Sequence, residues 1–181
     1  MATYHLDPAH SAAEFSARHM MIATVRGVIK NVTGTLEIDK DNPANSKVNV
    51  TLDATTLFTD HPDRDNHLKS ADFLDVENHP TITFKSTRVE VTSDDTARVS
   101  GDLTIRGKTL PVTLDVEFLG EEKSLYGDTR VGFTGTTRIN REDWGLTWNM
   151  ALESGGFLVG KDITIHVDAE AILAEAAAPA S

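Results

Sequence analysis

Cysteine is absent from this 181-residue chain. That excludes disulfides, thiolate nucleophiles and Cys-ligated zinc or iron–sulfur centres together. Any metal would need histidine and carboxylate ligands. Long apolar runs are missing too: stretches such as Met20-Met21-Ile22-Ala23 stop at four residues, far short of the ~20 that span a bilayer. The opening Met1-Ala2-Thr3-Tyr4-His5-Leu6-Asp7 has neither the positive start nor the apolar stretch of a secretory signal. No integral membrane segment and a cytoplasmic location are therefore expected. Positive charge is scarce, with 17 Lys+Arg against 28 Asp+Glu and a formal net charge of −11. This balance weighs against nucleic acid and anionic membrane surfaces as partners. There is no P-loop and no dinucleotide fingerprint, and Leu152 stands where a serine-hydrolase elbow before Ser154 needs glycine.

What is present is alternation. Leu110, Val112, Leu114, Val116 and Phe118 interleave with Thr113, Asp115 and Glu117. The pattern repeats at Val48, Val50, Leu52 and Ala54, and at Ile163, Ile165, Val167 and Ala169. Shorter stretches are Ala13, Phe15, Ala17; Ile82, Phe84; Val99, Gly101, Leu103, Ile105; and Val131, Phe133. A period of two marks strands with one dry face. It predicts eight strands near 11–19, 24–38, 47–57, 81–91, 97–106, 109–119, 125–139 and 161–172. Short turn signals (Asp39 to Pro43, Ser93 to Asp95, Arg106 to Lys108, Gly120 to Glu122) make neighbours antiparallel. Pro111 predicts a bulge or an unpaired position. Two connections are long, 58–80 and 140–160, and long loops in compact domains tend to be lids or helical inserts. A short helix is expected over His67 to Leu74. One domain, 1–172, is expected, with 173–181 a disordered tail.

Eight antiparallel strands with one dry face form a sandwich or close into a barrel, and closure removes exposed edges. The inward positions are mostly small or medium, and aromatics make up only 6% of the chain. Such a lining leaves room for a cavity; a fully packed β core is the alternative.

Larger motifs then follow in order. The chain has Tyr4-His5-Leu6-Asp7-Pro8-Ala9-His10-Ser11, Phe15-Ser16-Ala17-Arg18-His19, Gly27 and Gly34-Thr35-Leu36. Arg64 to Asp75, His79 to Phe84, Gly101 to Gly107 and Ile139 to Gly145 come after. From about residue 4 to 170 this succession closely resembles the YceI-like family, polyisoprenoid-binding relatives of the lipocalins. The resemblance implies an all-β, eight-stranded antiparallel up-and-down barrel, lipocalin-like, with one or two short helices in the long loops. It also implies a hydrophobic channel for an isoprenoid, isoprenoid quinone or other long-chain lipid, homodimers, no cofactor beyond that ligand, and no enzymatic activity.

Candidate lining or mouth residues are Phe15, Ala17, His19, Met20, Met21, Leu57, Phe58, His67, Leu68, Phe73, Phe84, Phe133, Trp144, Trp148 and Met150. Ordinary core is the competing role for each. His19 shares the parity of Phe15 and Ala17, and a neutral imidazole at a channel end could hydrogen-bond a ligand oxygen. His10 is read as satisfied by backbone or by Asp7. Arg64 and Arg141 sit beside carboxylates and are read as pinning the long loops through bidentate pairs. Trp144 and Trp148 either cap the barrel mouth or plug one end, the plug being favoured. The rival to a carrier is a metal-dependent enzyme or metal-binding protein using Asp60, His61, Asp63, Asp65 and His67, a cluster whose spacing fits no standard signature. A packed β-domain for protein interaction is the third reading.

Overall fold

A computed structural model describes residues 1–175. Among these, the strands are β1 (Ala2–Leu6), β2 (Ala12–His19), β3 (Ala23–Ile29), β4 (Thr33–Ile38), β5 (Lys47–Asp53), β6 (Thr81–Val91), β7 (Thr96–Ile105), β8 (Lys108–Lys123), β9 (Thr129–Asn140) and β10 (Asp162–Leu173). One helix, α1 (Pro62–Lys69), and short 3₁₀ turns at Pro43–Asn45, Ala54–Thr56 and Arg141–Trp144 complete the elements. β10 runs through Leu173, and the rest of the expected tail, 176–181, lies outside the described residues.

The antiparallel ladder runs β1-β4-β5-β6-β7-β8-β9-β10 and closes when β10 pairs back onto β1, with Tyr4 opposite Leu173 and Leu6 opposite Ala171. The result is a closed eight-stranded barrel. The two additional segments are continuations of wall strands. β10 carries β2 along its first half, Thr164 opposite Ser16, and β1 along its last residues. β1 and β2 are thus one wall position broken at 7–11, and β3 and β4 are another broken at 30–32. The expected strand 24–38 is this second pair; β1 escapes notice because five residues between Met1 and Asp7 carry too little alternation.

The break at 7–11 is pinned from outside. Asp7 N–H donates to the Glu170 carbonyl at 2.8 Å, and Ser11 trades hydrogen bonds with the Glu170 backbone. The Arg130 guanidinium bridges Asp7, Asp128 and Glu170. The break at 30–32 turns on Asn31 in the left-handed region, φ 55°. It is bracketed by Thr56, whose Oγ1 accepts from Lys30 N–H at 2.8 Å.

Pro111 lies opposite Asp102 with no slip in register. From the two-residue turn Arg106–Gly107, antiparallel alternation puts its nitrogen on the side away from β7. On that side β8 pairs with β9 only from Asp115 onward. The bulges fall elsewhere, between Ser86 and Arg88 and between Phe118 and Gly120. Gly120 is therefore a bulge residue at φ 141° and no turn; β8 continues to Lys123, with the reversal at 124–128. The helix also starts earlier than expected. His61 caps it, its Nδ1 accepting from Arg64 N–H at 3.2 Å. Pro62 occupies the first turn, where its missing N–H leaves no gap, and Ser70 ends it.

Apolar residues form two clusters, one toward each end of the barrel. The first joins Leu57, Phe73, Ile139, Trp144 and Leu146 beneath α1 and the long second connection, here the helix end. The second joins Tyr4, Leu6, Val32, Leu36, Val131 and Ala171 toward the hairpin end.

Candidate functional site

A cavity of about 1030 Å³ runs between these clusters inside the barrel. Its walls are the alternate residues of every strand: Ala13, Phe15 and Ala17 on β2; Val48, Val50 and Leu52 on β5; Val99, Leu103 and Ile105 on β7; Val112, Leu114 and Val116 on β8; Ile163, Ile165, Val167 and Ala169 on β10. Space persists because the wall residues are short. The rings that enter are accommodated by glycine: a Cβ at Gly27 would collide with the Phe15 ring and the Thr59 methyl, and one at Gly101 with the Phe84 ring. A fully packed interior is thereby set aside.

Of the fifteen residues singled out in the sequence, eleven face this cavity: Phe15, Ala17, His19, Leu57, His67, Leu68, Phe73, Phe84, Phe133, Trp144 and Trp148. The other four do not. Met20 and Met21 form the β2–β3 turn at positive φ, where strand alternation has ended; both are exposed, and the Met21 thioether packs over Gly156. Met150 is exposed in the second long connection. Phe58 forms a single-residue bridge to the free edge of β3, exchanging two 3.0 Å hydrogen bonds with Val28. That bridge continues the wall where β5 stops, and its parity sends Leu57 inward and Phe58 outward into a shallow external cleft.

Most of the helix end is covered by side chains whose polar groups are already committed, with His19 and Asp63 at its exposed rim. Trp144 is buried, its indole N–H donating to the Leu103 carbonyl at 3.1 Å, while Trp148 stacks edge-on against His67 and lies beside Phe73. This is the plug arrangement. Arg141, 3% exposed, donates to the carbonyls of Gly160, Leu146, Trp148 and Val159. Arg64 donates to the Thr59 hydroxyl and carbonyl, and Thr59 donates in turn to Asp65. Both arginines pin loops as expected, but through carbonyl and hydroxyl oxygens instead of carboxylates. Burial lowers the Arg141 pKa from the ordinary arginine value.

The acidic–histidine cluster at 60–67 does not converge. His61 caps α1, His67 Nε2 lies 3.0 Å from Asp72, and Asp65 serves Thr59. Among the described residues, Asp7, His10 and Glu170 are the group close enough to share a cation, and the Arg130 guanidinium already sits among them. His10 is held by Asp7 at 2.8 Å.

At the hairpin end the cavity reaches residues that sequence reading missed. Tyr4, 1% exposed, donates its hydroxyl to Glu121 Oε2 at 3.0 Å, and Lys40 Nζ lies 2.6 Å from the same oxygen. The bulge at Phe118/Gly120 turns Glu121 inward. Only the phase slip after Phe118 signalled it.

The YceI-like domain profile matches residues 4–171. This chain belongs to that family. It is 41% identical over 138 residues to a UPF0312 protein of Ectopseudomonas mendocina, covering 76% of this chain and 72% of that one. It is 35% identical over 171 residues to UPF0312 protein SERP2314 of Staphylococcus epidermidis, covering 94% and 97%. Among solved structures, Burkholderia cenocepacia BcnA superposes with a TM-score of 0.79 at 19% identity, covering 91% and 98%. A polyisoprenoid binding domain from Saccharophagus degradans superposes at 0.68 and 13% identity, covering 96% and 100%. At those identities the likeness concerns the fold alone: a YceI-like β-barrel. Among the described residues, no helix is long and apolar enough to cross a membrane.

Proposed function

We propose that this YceI-like barrel binds and carries a long-chain isoprenoid, isoprenoid quinone or comparable amphiphile, with the tail in its cavity, without catalysis and without a cofactor. The observation that carries this reading is the apolar cavity of about 1030 Å³ inside the barrel. A methylene claims about as much space as a water, roughly 30 Å³, so the tail has on the order of thirty heavy atoms. Each buried methylene contributes about 0.8 kcal/mol before ordering and association costs. Selectivity is then for length class and shape, because one methylene is worth only about 1 to 3 kcal/mol. The Saccharophagus degradans domain of the same fold, described as polyisoprenoid binding, supports the ligand class. The same reading includes a homodimer, which sedimentation tests.

Denaturing the purified protein and analysing the released material by mass spectrometry should yield a long-chain lipid in stoichiometric amount. Ala17 lines the cavity on β2, so Ala17→Trp should abolish uptake of an added polyprenol while circular dichroism remains that of the folded barrel. Absence of lipid from the purified protein, together with no uptake of polyprenols, would sink the proposal.

A further inference from the structure

The two ends of the cavity differ in what their polar groups have left to offer. At the helix end, Arg141 and Arg64 are engaged by loop backbone and Thr59, and His67 by Asp72. The surfaces presented there are chiefly Trp144, Leu146, Leu57 and Phe73, with Arg18, His19 and Asp63 at the outer rim. At the hairpin end, Glu121 Oε2 receives both Tyr4 and Lys40. Its Oε1 has no partner among the described side chains, and an ammonium carries three N–H donors, of which one is engaged here. The Tyr4 oxygen stands beside the Lys40 ammonium as well, so the three groups form one cluster.

These groups also come from opposite walls. β4, which leads into Lys40, and β8, which carries Glu121, stand four places apart in a ring of eight. The Lys40–Glu121 pair therefore spans the mouth, with Tyr4 beneath it in the cavity wall. The rim adds Asp39, Asp94, Asp95 and Lys47. Around this opening four carboxylates face two lysine ammonium groups and, beside Asp39, the α-amino group of Met1, which leaves a net negative field that disfavours phosphate.

We infer that the hairpin end is the head-group end of the cavity, and that the Tyr4–Lys40–Glu121 trio takes an uncharged, oxygen-bearing head group, an alcohol or a carbonyl, in preference to a phosphate. The inference rests on the proposal that a lipid tail fills the cavity. The head-group oxygen accepts from the Lys40 ammonium, a head-group hydroxyl donates to Glu121, and the tail runs toward the tryptophan-closed end. A phosphorylated head would bring its charge against Glu121 and the aspartate rim.

The test titrates the full chain, stripped of lipid, with geranylgeraniol and with geranylgeranyl diphosphate, which share one tail, and reads binding by native mass spectrometry and tryptophan fluorescence. The alcohol should bind at least about tenfold more tightly, since like charges across a recognition site discriminate by that order. Glu121→Lys should reduce or reverse the ratio. Asp94→Lys with Asp95→Lys, on an exposed turn that leaves the trio intact, should shift it the same way even where Glu121→Lys fails to fold. Equal or tighter binding of the diphosphate by the unaltered chain overturns the head-group assignment alone. So does a preference for the alcohol that neither variant moves. Binding of neither lipid overturns the carrier reading, and the assignment with it.

Discussion

Four carbonyls between Leu146 and Gly160 accept from the Arg141 guanidinium, and its Cζ lies 5.7 Å from the Phe73 ring centre. A lysine ammonium is a compact point charge and cannot reproduce that planar fork. Arg141→Lys should therefore destabilise the fold by about 2 to 3 kcal/mol, as buried acceptors lose their donors; denaturant unfolding measures it. That arginine would be pinned was legible from the sequence. Its partners were not, because every residue carries a carbonyl and sequence cannot say which will converge.

A second prediction at this scale concerns His10. Its hydrogen bond to Asp7, with Glu170 nearby, raises its pKa from the ordinary histidine value. A raised folded pKa stabilises fully below about pH 6.5 and is lost as pH rises through the folded value. The Asp7 carboxyl is held low, chiefly by His10 and also by Ala9 N–H and Arg130, and its contribution runs the other way, failing as pH falls below the ordinary carboxylate range. The stability difference between the natural chain and His10→Gln should accordingly be present near pH 5.5 and shrink by about pH 8.5; unfolding midpoints at the two values read it.

For the strands, alternation was the informative signal, and its phase held more than its presence. Inward residues are odd-numbered at Val25, Gly27 and Ile29, then even-numbered at Val32, Leu36 and Ile38. The slip marks the break at 30–32. Ile82 and Phe84 give way to Val89 and Val91 across the bulge at Ser86/Arg88 in the same manner. A period-two reading that keeps count of phase finds both, whereas one that scores alternation alone runs through them. The parity of Phe58, next to inward Leu57, faces it outward whatever its aromatic character suggests. The helix begins ahead of His67 because Pro62 opens it, a position proline suits.

Phe15 packs directly over Gly27 across β2 and β3, leaving no room for a Cβ there. Gly27→Val should destabilise by about 1 to 3 kcal/mol, since either the ring or the strand must shift. A lowered denaturant midpoint at unchanged slope would show it; an unchanged midpoint would mean the ring moves freely into the cavity.

Across the whole molecule, a cavity of this size leaves wall atoms without packing partners, so the empty barrel gives up dispersion contacts that a filled one has. Ligand binding to the folded state alone adds RT ln(1 + [L]/Kd), about 2.7 kcal/mol at a hundredfold excess over Kd. Removing bound lipid should therefore lower the melting temperature, and adding back a polyprenol should restore it; scanning calorimetry on both forms provides the check. A chain whose melting ignores lipid has no ligand in its interior.

The barrel's closure joins Tyr4 to Leu173, nearly the two ends of the described chain. Until β10 has been synthesised, β1 and β2 lack the neighbour that both share, and the nascent sheet has unpaired edges on either side of a hydrophobic face. Such long-range pairing folds slowly. Ribosome-bound intermediates are thus the species most exposed to aggregation, and the oily interior is walled on every side only when translation is almost finished.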